Sequence, residues 1–431
     1  MESIRATYSA STNLPLDEFA ERMAVAQTIG LKELDLDQLE FPEETRREVK
    51  ACIANASWRP TGARQKKGEA PAAEAGPPQV FELDYPIGVF DRTGGLGQLL
   101  AVVAGQLTAY VDALRLRLID LDLPRTILKR FRGPRFGNVG IRRQLGRNAD
   151  RGPLLGVIMR PNLGLRPAQY ADIAFEIAAG GADFIKDDEK FSNPAYCPYE
   201  ERVPLVLEKL AAAKKVSGRQ TLYIVNATAR ANEIPRTIRK LKKMGAGAIL
   251  LPGFCVGLAL VEGIVRTGFG LPIYCHRAGY ATLARSSDFG IDTFVLTKLL
   301  RLAGADMFSV GMIGGVNAAN QQDVRMHYRA ATCEWGKIMS SLPISTAGMH
   351  PGTVPHNLRV YGPDIALFGG AGVHGHPEGT RAGVVAMRQA IDAALQGERL
   401  VVAQQNKREL RSALGKWGEL DAGEDVPRRI E

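Results

Sequence analysis

The chain has 431 residues, of which 23% are charged and 45% hydrophobic, and it carries a formal net charge of +9. A chain of this length can bury a sizeable core in more than one domain, and the composition is that of a soluble globular protein. It contains no apolar run of membrane-spanning length, no signal-peptide pattern and no nucleic-acid-binding motif in its basic runs. Its five cysteines are scattered along the chain. We therefore expect a cytoplasmic protein with reduced thiols and with neither nucleic acid nor membrane as a partner.

The first 130 residues are predicted to form an α+β domain. Its predicted elements are, in order, a strand, a helix, a strand, a short helix and a strand, at residues 3–9, 14–29, 80–89, 97–107 and 111–121. Residues 60–79 are rich in Gly, Ala, Pro, Lys and Glu and have no periodicity. This composition predicts an exposed, flexible loop.

From residue 153 onward, apolar strands alternate with amphipathic helices in eight pairs. The predicted strands lie at residues 154–161, 184–188, 222–226, 248–251, 272–276, 307–310, 338–345 and 365–368. The predicted helices lie near residues 167–179, 199–215, 231–243, 256–267, 291–302, 320–332, 351–360 and 380–396. Eight βα units predict a (β/α)₈ TIM barrel over residues 131–410, followed by a C-terminal tail at 411–431. The alternative, an open doubly wound sheet, is disfavoured because no Gly-x-Gly-x-x-Gly sequence lies between the first strand and its helix.

A cluster of charge, Lys186-Asp187-Asp188-Glu189, ends the second predicted barrel strand. Strand side chains alternate between faces, so Lys186 and Asp188 point the same way, and Glu189 joins them if the chain leaves strand geometry there. A lysine ammonium has no lone pair for a metal, but an amine that has taken up carbon dioxide as a carbamate is an oxygen ligand. The carbamate of Lys186, with Asp188 and Glu189, would give three hard oxygen ligands for Mg²⁺. The alternative interpretation is a solvated cluster of ion pairs in a loop.

Polar residues follow other predicted strands at the end of the barrel where active sites lie. Arg160 and Asn162 follow the first strand, and Asn226 ends the third. We expect Arg160 to be catalytic, with Lys186 and His276, and we expect Asn162, Asn226 and Arg277 to bind the substrate. His276 and Arg277 end the fifth strand. A guanidinium binds an anionic group bidentately, and an imidazole can move protons or hydrogen-bond a substrate oxygen near the metal.

Glycines follow the last two predicted strands, whose loops form the usual phosphate site of a barrel. Gly348 and the pair Gly369-Gly370 allow backbone N–H groups to approach an anion, because no Cβ blocks the way. Thr346 would add a hydroxyl. The alternative is that these glycines make tight turns and nothing more.

These residues carry a resemblance to the large subunit of ribulose bisphosphate carboxylase/oxygenase, RuBisCO. The segment 181–189 is similar to the family's metal and carbamylation motif. Further segments that resemble the family recur in order at residues 85–87, 114–116, 154–165, 226–228, 276–278, 368–370 and 375–377. The resemblance implies an α+β, ferredoxin-like N-terminal domain, a C-terminal barrel and Mg²⁺ held through N6-carboxylysine at Lys186. It also implies a homodimer, or a multiple of dimers, with the site at the subunit interface.

The departures from the family concern carbon fixation. Two lysines on which carboxylation relies correspond here to Arg160 and Asn162. The family's mobile loop after the sixth strand carries a lysine, whereas this chain has Val316 near that place and no lysine in residues 311–323. A histidine that helps to hold phosphate corresponds to Ser309. The pattern resembles that of RuBisCO-like proteins, which keep the metal site but do not fix carbon dioxide.

The chemistry that the resemblance leaves is enolate formation, with Mg²⁺ as Lewis acid and the Lys186 carbamate as general base. Some RuBisCO-like proteins are enolases or isomerases on methylthio-ribulose-type sugar phosphates in methionine salvage. Others act on 3-oxo-isoapionate 4-phosphate, as decarboxylase or as transcarboxylase/hydrolase. Arg160 favours the second group, because a guanidinium binds a carboxylate but is a poor proton shuttle. The alternative of another class is a non-catalytic protein that binds sugar phosphates.

Overall fold

The computed structural model describes residues 2–28, 42–43, 57–61, 77–147, 152–315 and 321–420, with residues 57–61 described by their backbone alone. Most of the predicted loop at 60–79 lies outside these residues, as do Val316 and the end of the predicted tail at 411–431. Nowhere in the described ranges is a helix both long and apolar enough to cross a lipid bilayer.

The described residues form both strands and helices along the whole chain. The strands are β1 Ser3–Thr12, β2 Ser57–Thr61, β3 Gln79–Pro86, β4 Ala113–Asp122, β5 Leu154–Ile158, β6 Phe184–Lys186, β7 Leu222–Asn226, β8 Ala248–Pro252, β9 Ile273–His276, β10 Phe289–Ile291, β11 Met307–Ser309, β12 Leu342–Thr346 and β13 Ala366–Gly369. The helices are α1 Leu16–Thr28, α2 Gly95–Ala104, α3 Arg125–Leu128, α4 Gly137–Gln144, α5 Pro167–Ala179, α6 Tyr199–Ser217, α7 Ile234–Lys243, α8 Gly253–Val256, α9 Leu258–Thr267, α10 Tyr280–Ala284, α11 Thr293–Ala303, α12 Gln321–Thr332, α13 Val354–Tyr361, α14 Ala371–His374, α15 Thr380–Leu395, α16 Leu400–Ala403 and α17 Arg408–Trp417.

The first of two compact units comprises Met1–Arg132, Gly279–Ala303 and Trp335–Ile338. Its sheet has the order β10-β4-β1-β3-β2, in which β1 to β4 pair antiparallel in ferredoxin-like order. Polarity alternates along β1, so burial alternates with it. On the buried face Tyr8 stacks on Phe81, with 5.4 Å between ring centroids. The predicted α+β, ferredoxin-like domain is therefore confirmed.

Strand β10 is not among the predicted strands. It pairs parallel with β4 and places Phe289 opposite Leu116, although the two residues lie far apart in the chain. The Arg117 guanidinium also donates to the Ala284 carbonyl at 3.1 Å, just before β10. Three residues are too few to show an alternating pattern, so this strand is defined by its pairing partner and not by its own sequence.

The second compact unit comprises Gly133–Ala278, Gly304–Glu334 and Met339–Glu431. Its strands close into a barrel in the order β11-β12-β13-β5-β6-β7-β8-β9, and neighbouring strands are parallel. The predicted TIM barrel is confirmed, and the alternative of an open doubly wound sheet is wrong.

Several predicted strand limits differ from the structure, and the first barrel strand ends at Ile158 instead of residue 161. The seventh barrel strand begins at Leu342 instead of residue 338, because Ile338 forms an isolated bridge with Trp335. The second ends at Lys186 and not at Asp188, since the chain turns there.

The barrel interior is filled by apolar side chains in register. Phe184 and Phe368 stack at 5.5 Å, and Tyr274 packs on Phe368 at 5.8 Å. Gly156 is required beneath this stack, because a Cβ there would collide with the Phe368 ring. The buried cluster comprises Ile141, Leu145, Leu154, Phe184, Leu222, Ile224, Ala248, Leu250, Tyr274, Met307, Leu342, Ile344, Ala366 and Phe368.

Buried carboxylates fix the N-terminal ends of the barrel strands. Asp306 accepts hydrogen bonds from the N–H groups of Phe136 at 2.6 Å and Ile273 at 2.9 Å. Asp183 accepts one from the Leu155 N–H at 2.7 Å. These bonds satisfy backbone groups at the end of the barrel that serves stability, and they leave the other end for the site.

Candidate active site

Three strand ends bring ionisable side chains together at the C-terminal mouth of the barrel. Arg160 follows β5, Lys186 ends β6 with Asp188 and Glu189 beyond it, and His276 ends β9. Arg160 Nη1 lies 2.7 Å from Asp188 Oδ2. Glu189 Oε2 lies 3.7 Å from Lys186 Nζ and 3.5 Å from His276 Nε2. The residues predicted to form a catalytic and metal centre are therefore neighbours in space.

Two members of the cluster, Lys186 and Asp188, are buried. Lys186 is 0% exposed and Asp188 is 2% exposed, so a solvated group of ion pairs does not describe them. Burial lowers the pKa of the Lys186 amine to about 8, against the opposing effect of the Glu189 and Asp188 carboxylates. The unprotonated amine is the form that attacks carbon dioxide, and this pKa makes its share at neutral pH larger than that of an exposed lysine.

The donors of the cluster decide whether it suits a divalent cation. Asp188 and Glu189 supply two carboxylates, and the described part of the chain holds no group of three His, Cys, Asp or Glu side chains arranged for a metal. A third protein oxygen would have to come from Lys186 as its carbamate. With that group the donors are three hard oxygens, and the residues fit Mg²⁺.

Arg160 lies between two turns of the mouth. Its Nη1 donates to Asp188 Oδ2 and also to the Met159 carbonyl at 2.9 Å. A Cβ at Gly370, in the turn after β13, would lie 4.0 Å from Arg160 Nε. Burial acts to raise the pKa of Asp188, but the Lys190 N–H and the Arg160 guanidinium outweigh it and hold that pKa below its usual value.

His276 is a neutral hydrogen-bond donor toward the site. Its Nδ1 accepts a hydrogen bond from the Ala278 N–H at 3.1 Å, so the proton of the neutral ring is on Nε2, the atom near Glu189. Burial lowers the pKa of His276 to about 4, and the charge of Lys186 acts in the same direction. The ring stacks on Tyr274, which fixes its orientation.

Asn226, predicted to bind substrate, is buried and holds the turn at residues 188–189, called here the carboxylate turn. Its Nδ2 donates to the carbonyls of Asp188 and Glu189, both at 3.0 Å. Its Oδ1 accepts from the N–H and the hydroxyl of Thr228 at 3.0 and 2.6 Å. The amide is thus engaged within the protein, and substrate binding by Asn226 stays a prediction.

A buried network behind the turn was not anticipated from the sequence. Asp187 accepts hydrogen bonds from the hydroxyls of Tyr170 at 2.5 Å and Tyr223 at 2.7 Å. It also pairs with Arg202 Nη2 at 3.2 Å, and both side chains of that pair are fully buried. One signal in the sequence could have predicted this network. Because side chains alternate along a strand, Asp187 faces away from Lys186 and toward the helices, where a buried carboxylate needs a hydrogen-bonding or charged partner.

Arg202 links this network to the loop that follows Glu189. Its guanidinium donates to the carbonyls of Ser192 and Cys197, both at 2.8 Å. The same group lies over the Phe191 ring, 4.4 Å from its centroid. Arg202 therefore holds residues on both sides of the carboxylate turn from within α6.

The predicted phosphate-binding residues lie on neighbouring strands. Thr346 of β12 is opposite Phe368 of β13, so the turns after both strands begin side by side. Gly348 has φ +116°, and a Cβ at Gly369 would lie 2.7 Å from Val373. Ala347 has φ +86°, a conformation that a residue with a Cβ rarely adopts. Phosphate binding stays a prediction.

The two remaining predicted residues differ in exposure. Asn162 is half-buried in the loop after Arg160. Arg277 is buried. Burial of the Tyr361 hydroxyl raises the pKa of Tyr361, and the nearby positive charge of Arg277 acts to lower it. The Tyr361 hydroxyl donates to the Gly311 carbonyl at 2.8 Å, so Arg277 lies near the glycine turn after β11.

Known proteins are similar to this chain in sequence and architecture. The family described as ribulose bisphosphate carboxylase large chain, catalytic domain, matches residues 139–417. The ribulose bisphosphate carboxylase of Pyrococcus abyssi is 33% identical over 343 residues, which cover 79% of this chain and 80% of that protein.

Two solved structures extend the likeness to nearly the whole chain. Octameric ribulose-1,5-bisphosphate carboxylase/oxygenase of Pyrococcus horikoshii OT3 has a TM-score of 0.85 and 28% identity, covering 97% of this chain and 95% of that one. A rubisco-like protein (MtnW) from Alicyclobacillus acidocaldarius has a TM-score of 0.83 and 31% identity, covering 97% and 100%. Fold and site define a barrel protein with a buried lysine and two carboxylates at its mouth. The chain belongs to the RuBisCO large-chain family.

Proposed function

We propose that this protein carries out Mg²⁺-dependent enolate chemistry on a phosphorylated sugar acid. The reaction we favour is decarboxylation, or transcarboxylation and hydrolysis, of a 3-oxo sugar-acid phosphate such as 3-oxo-isoapionate 4-phosphate. The observation that carries the proposal is Arg160, whose guanidinium lies 2.7 Å from Asp188 at the barrel mouth. A guanidinium stays protonated, so it offers a permanent cation to a substrate carboxylate and cannot act as a proton shuttle.

Asp188, Glu189 and the carbamate of Lys186 would hold Mg²⁺. When bound, the ion supplies Lewis-acid stabilisation for the negative charge that develops on the substrate's oxygens. Arg160 binds and orients the carboxylate that is lost. His276 offers its Nε2–H to a substrate oxygen, because its neutral ring carries the proton on that atom.

The electron balance of the reaction suits a 3-oxo acid. The bond between the carboxylate carbon and its neighbour breaks, carbon dioxide leaves, and the electron pair moves toward the 3-oxo oxygen as an enolate. A proton then returns to carbon. Thr346, Gly348, Gly369 and Gly370 would bind the phosphate through a hydroxyl and backbone N–H groups, while Asn162 and Arg277 contact the rest of the substrate.

We propose that the protein does not fix carbon dioxide, although the curated relatives are named carboxylases. Arg160 and Asn162 stand where the family's carboxylases use lysines, and residues 311–323 contain no lysine. A homodimer, or a multiple of dimers, is the assembly that we expect. A second candidate reaction, enolisation or isomerisation of a methylthio-ribulose-type sugar phosphate, is favoured by the likeness to the rubisco-like protein (MtnW).

The test incubates the purified protein with Mg²⁺ and bicarbonate and offers three substrates separately. These are 3-oxo-isoapionate 4-phosphate, a methylthio-ribulose-type phosphate and ribulose 1,5-bisphosphate. Release of carbon dioxide from the first supports the proposal, and exchange of solvent deuterium into the second supports the alternative. Binding of any of them without turnover would indicate a non-catalytic sugar-phosphate binder.

The variant R160K tests the role of Arg160. We expect its KM for the 3-oxo acid to rise about tenfold, because lysine cannot form the bidentate pair with a carboxylate. The matched control is R381K, which changes an arginine paired bidentately with Glu176 at the protein surface. An unchanged KM in R160K would remove the reason for preferring an acid substrate.

A further inference from the structure

We infer that Arg160 competes with the cation for Asp188, and that a substrate carboxylate relieves this competition, so that cation and carboxylate bind cooperatively. The inference rests on the proposed function, since it takes the turn after β6 as the cation site. It adds a regulatory role to a residue that was predicted to be catalytic.

The contacts of Asp188 supply the first step. Its Oδ1 accepts the Lys190 N–H at 3.1 Å, and its Oδ2 accepts Arg160 Nη1 at 2.7 Å. Both carboxylate oxygens therefore already have a hydrogen-bond donor. A cation that uses Oδ2 must displace the guanidinium from it or share that oxygen with a second positive charge, and both cost free energy.

The burial of the two partners supplies the second step. The Asp188 side chain is 2% exposed, and the backbone carbonyl of Asp188 accepts a hydrogen bond from Asn226. The Arg160 side chain is 36% exposed and borders the turn of Gly370. The carboxylate is thus fixed in the turn, and the arginine is the partner that can move into the mouth.

The destination of Arg160 supplies the third step. A substrate carboxylate in the mouth can accept two hydrogen bonds from the guanidinium, whereas Asp188 accepts one through a single oxygen. Arg160 cannot pair fully with both. A bound carboxylate therefore raises the affinity of the site for the cation, and by thermodynamic linkage a bound cation raises its affinity for the carboxylate by the same factor.

A purely structural role of Arg160 makes the opposite prediction. If the guanidinium served mainly to hold Asp188 in place, its removal would loosen the carboxylate and weaken cation binding. The sign of the change in affinity therefore separates the two roles.

The experiment titrates the full-length protein with Mn²⁺ at fixed bicarbonate and follows free Mn²⁺ by electron paramagnetic resonance. We expect R160Q to bind Mn²⁺ about tenfold more tightly than the wild type, the size of one charge-assisted hydrogen bond. The affinity of R160K for Mn²⁺ should lie between those of R160Q and the wild type, since lysine keeps the positive charge but lacks the bidentate geometry of the guanidinium. R381Q, the control at the surface pair with Glu176, should bind as the wild type does.

Two outcomes overturn different claims. If the wild type binds Mn²⁺ and R160Q binds it equally or more weakly, the competition is refuted while the proposed cation site stands. If the wild type binds Mn²⁺ no better than D188N, the cation site itself is refuted. Circular dichroism and urea unfolding of each variant show whether it is folded, and R160K provides the comparison if R160Q is not.

A second titration tests the cooperativity with a matched pair of probes. 3-Phosphoglycerate carries a carboxylate and a phosphate, whereas glycerol 3-phosphate carries the phosphate alone. In the wild type, 3-phosphoglycerate should tighten Mn²⁺ binding more than glycerol 3-phosphate does, and in R160Q that difference should shrink. An equal difference in both proteins would show that the carboxylate acts without Arg160 and would refute the coupling.

Discussion

Replacement of Arg202 with methionine removes the charge at the centre of the network behind the carboxylate turn. The guanidinium is fully buried, pairs with the buried Asp187 carboxylate and donates to the carbonyls of Ser192 and Cys197. Methionine keeps much of the apolar volume of the side chain, so the loss is mainly electrostatic. The variant R202M leaves the charge of Asp187 buried with two tyrosine hydroxyls as its remaining side-chain partners.

The expected cost follows from that burial. Removing one partner of a buried ion pair typically costs about 3–5 kcal/mol, because the other charge is left without compensation. The matched control is R381M, whose arginine forms a bidentate pair with Glu176 on the surface. Exposed pairs contribute about 0–1 kcal/mol, so R381M should unfold almost as the wild type does.

The measurement is urea unfolding followed by far-ultraviolet circular dichroism, together with the Mn²⁺ titration described above. We expect R202M to lose stability and to bind Mn²⁺ more weakly, because the turn that carries Asp188 and Glu189 loses its support. The double variant D187N/R202M should be less destabilised than the sum of its single variants, since it removes both charges. A loss in R202M below about 1 kcal/mol would refute the argument from burial.

Three further predictions concern single residues. K186A should reduce Mg²⁺-dependent turnover to background and abolish the effect of bicarbonate in an activity assay; full activity would exclude the carbamate. A347G should raise the free energy of unfolding by about 1 kcal/mol, because glycine adopts φ +86° without strain, and urea midpoints of both proteins test this. G156A should lower stability by about 1–3 kcal/mol through the collision of its Cβ with Phe368, and unchanged stability would mean that the ring moves freely.

The fold was largely predictable because its signals are local. Alternating polarity along residues 3–9 gave β1, and apolar runs separated by amphipathic helices gave the eight barrel strands. The period of the side chains is set by the backbone of each element, so these patterns exist before any tertiary contact. Strand β10 was missed because three residues do not establish a period.

The candidate site was predictable in its composition but not in its contacts. The sequence by itself determined that Lys186, Asp188 and Glu189 follow a barrel strand and that His276 follows another, and parallel strands bring such ends to one edge. The tertiary structure alone decided that Arg160 pairs with Asp188, that Asn226 holds the turn and that Arg202 meets Asp187. These contacts join residues from different strands and helices, and the burial that lowers the pKa of Lys186 arises when those elements exclude water around it.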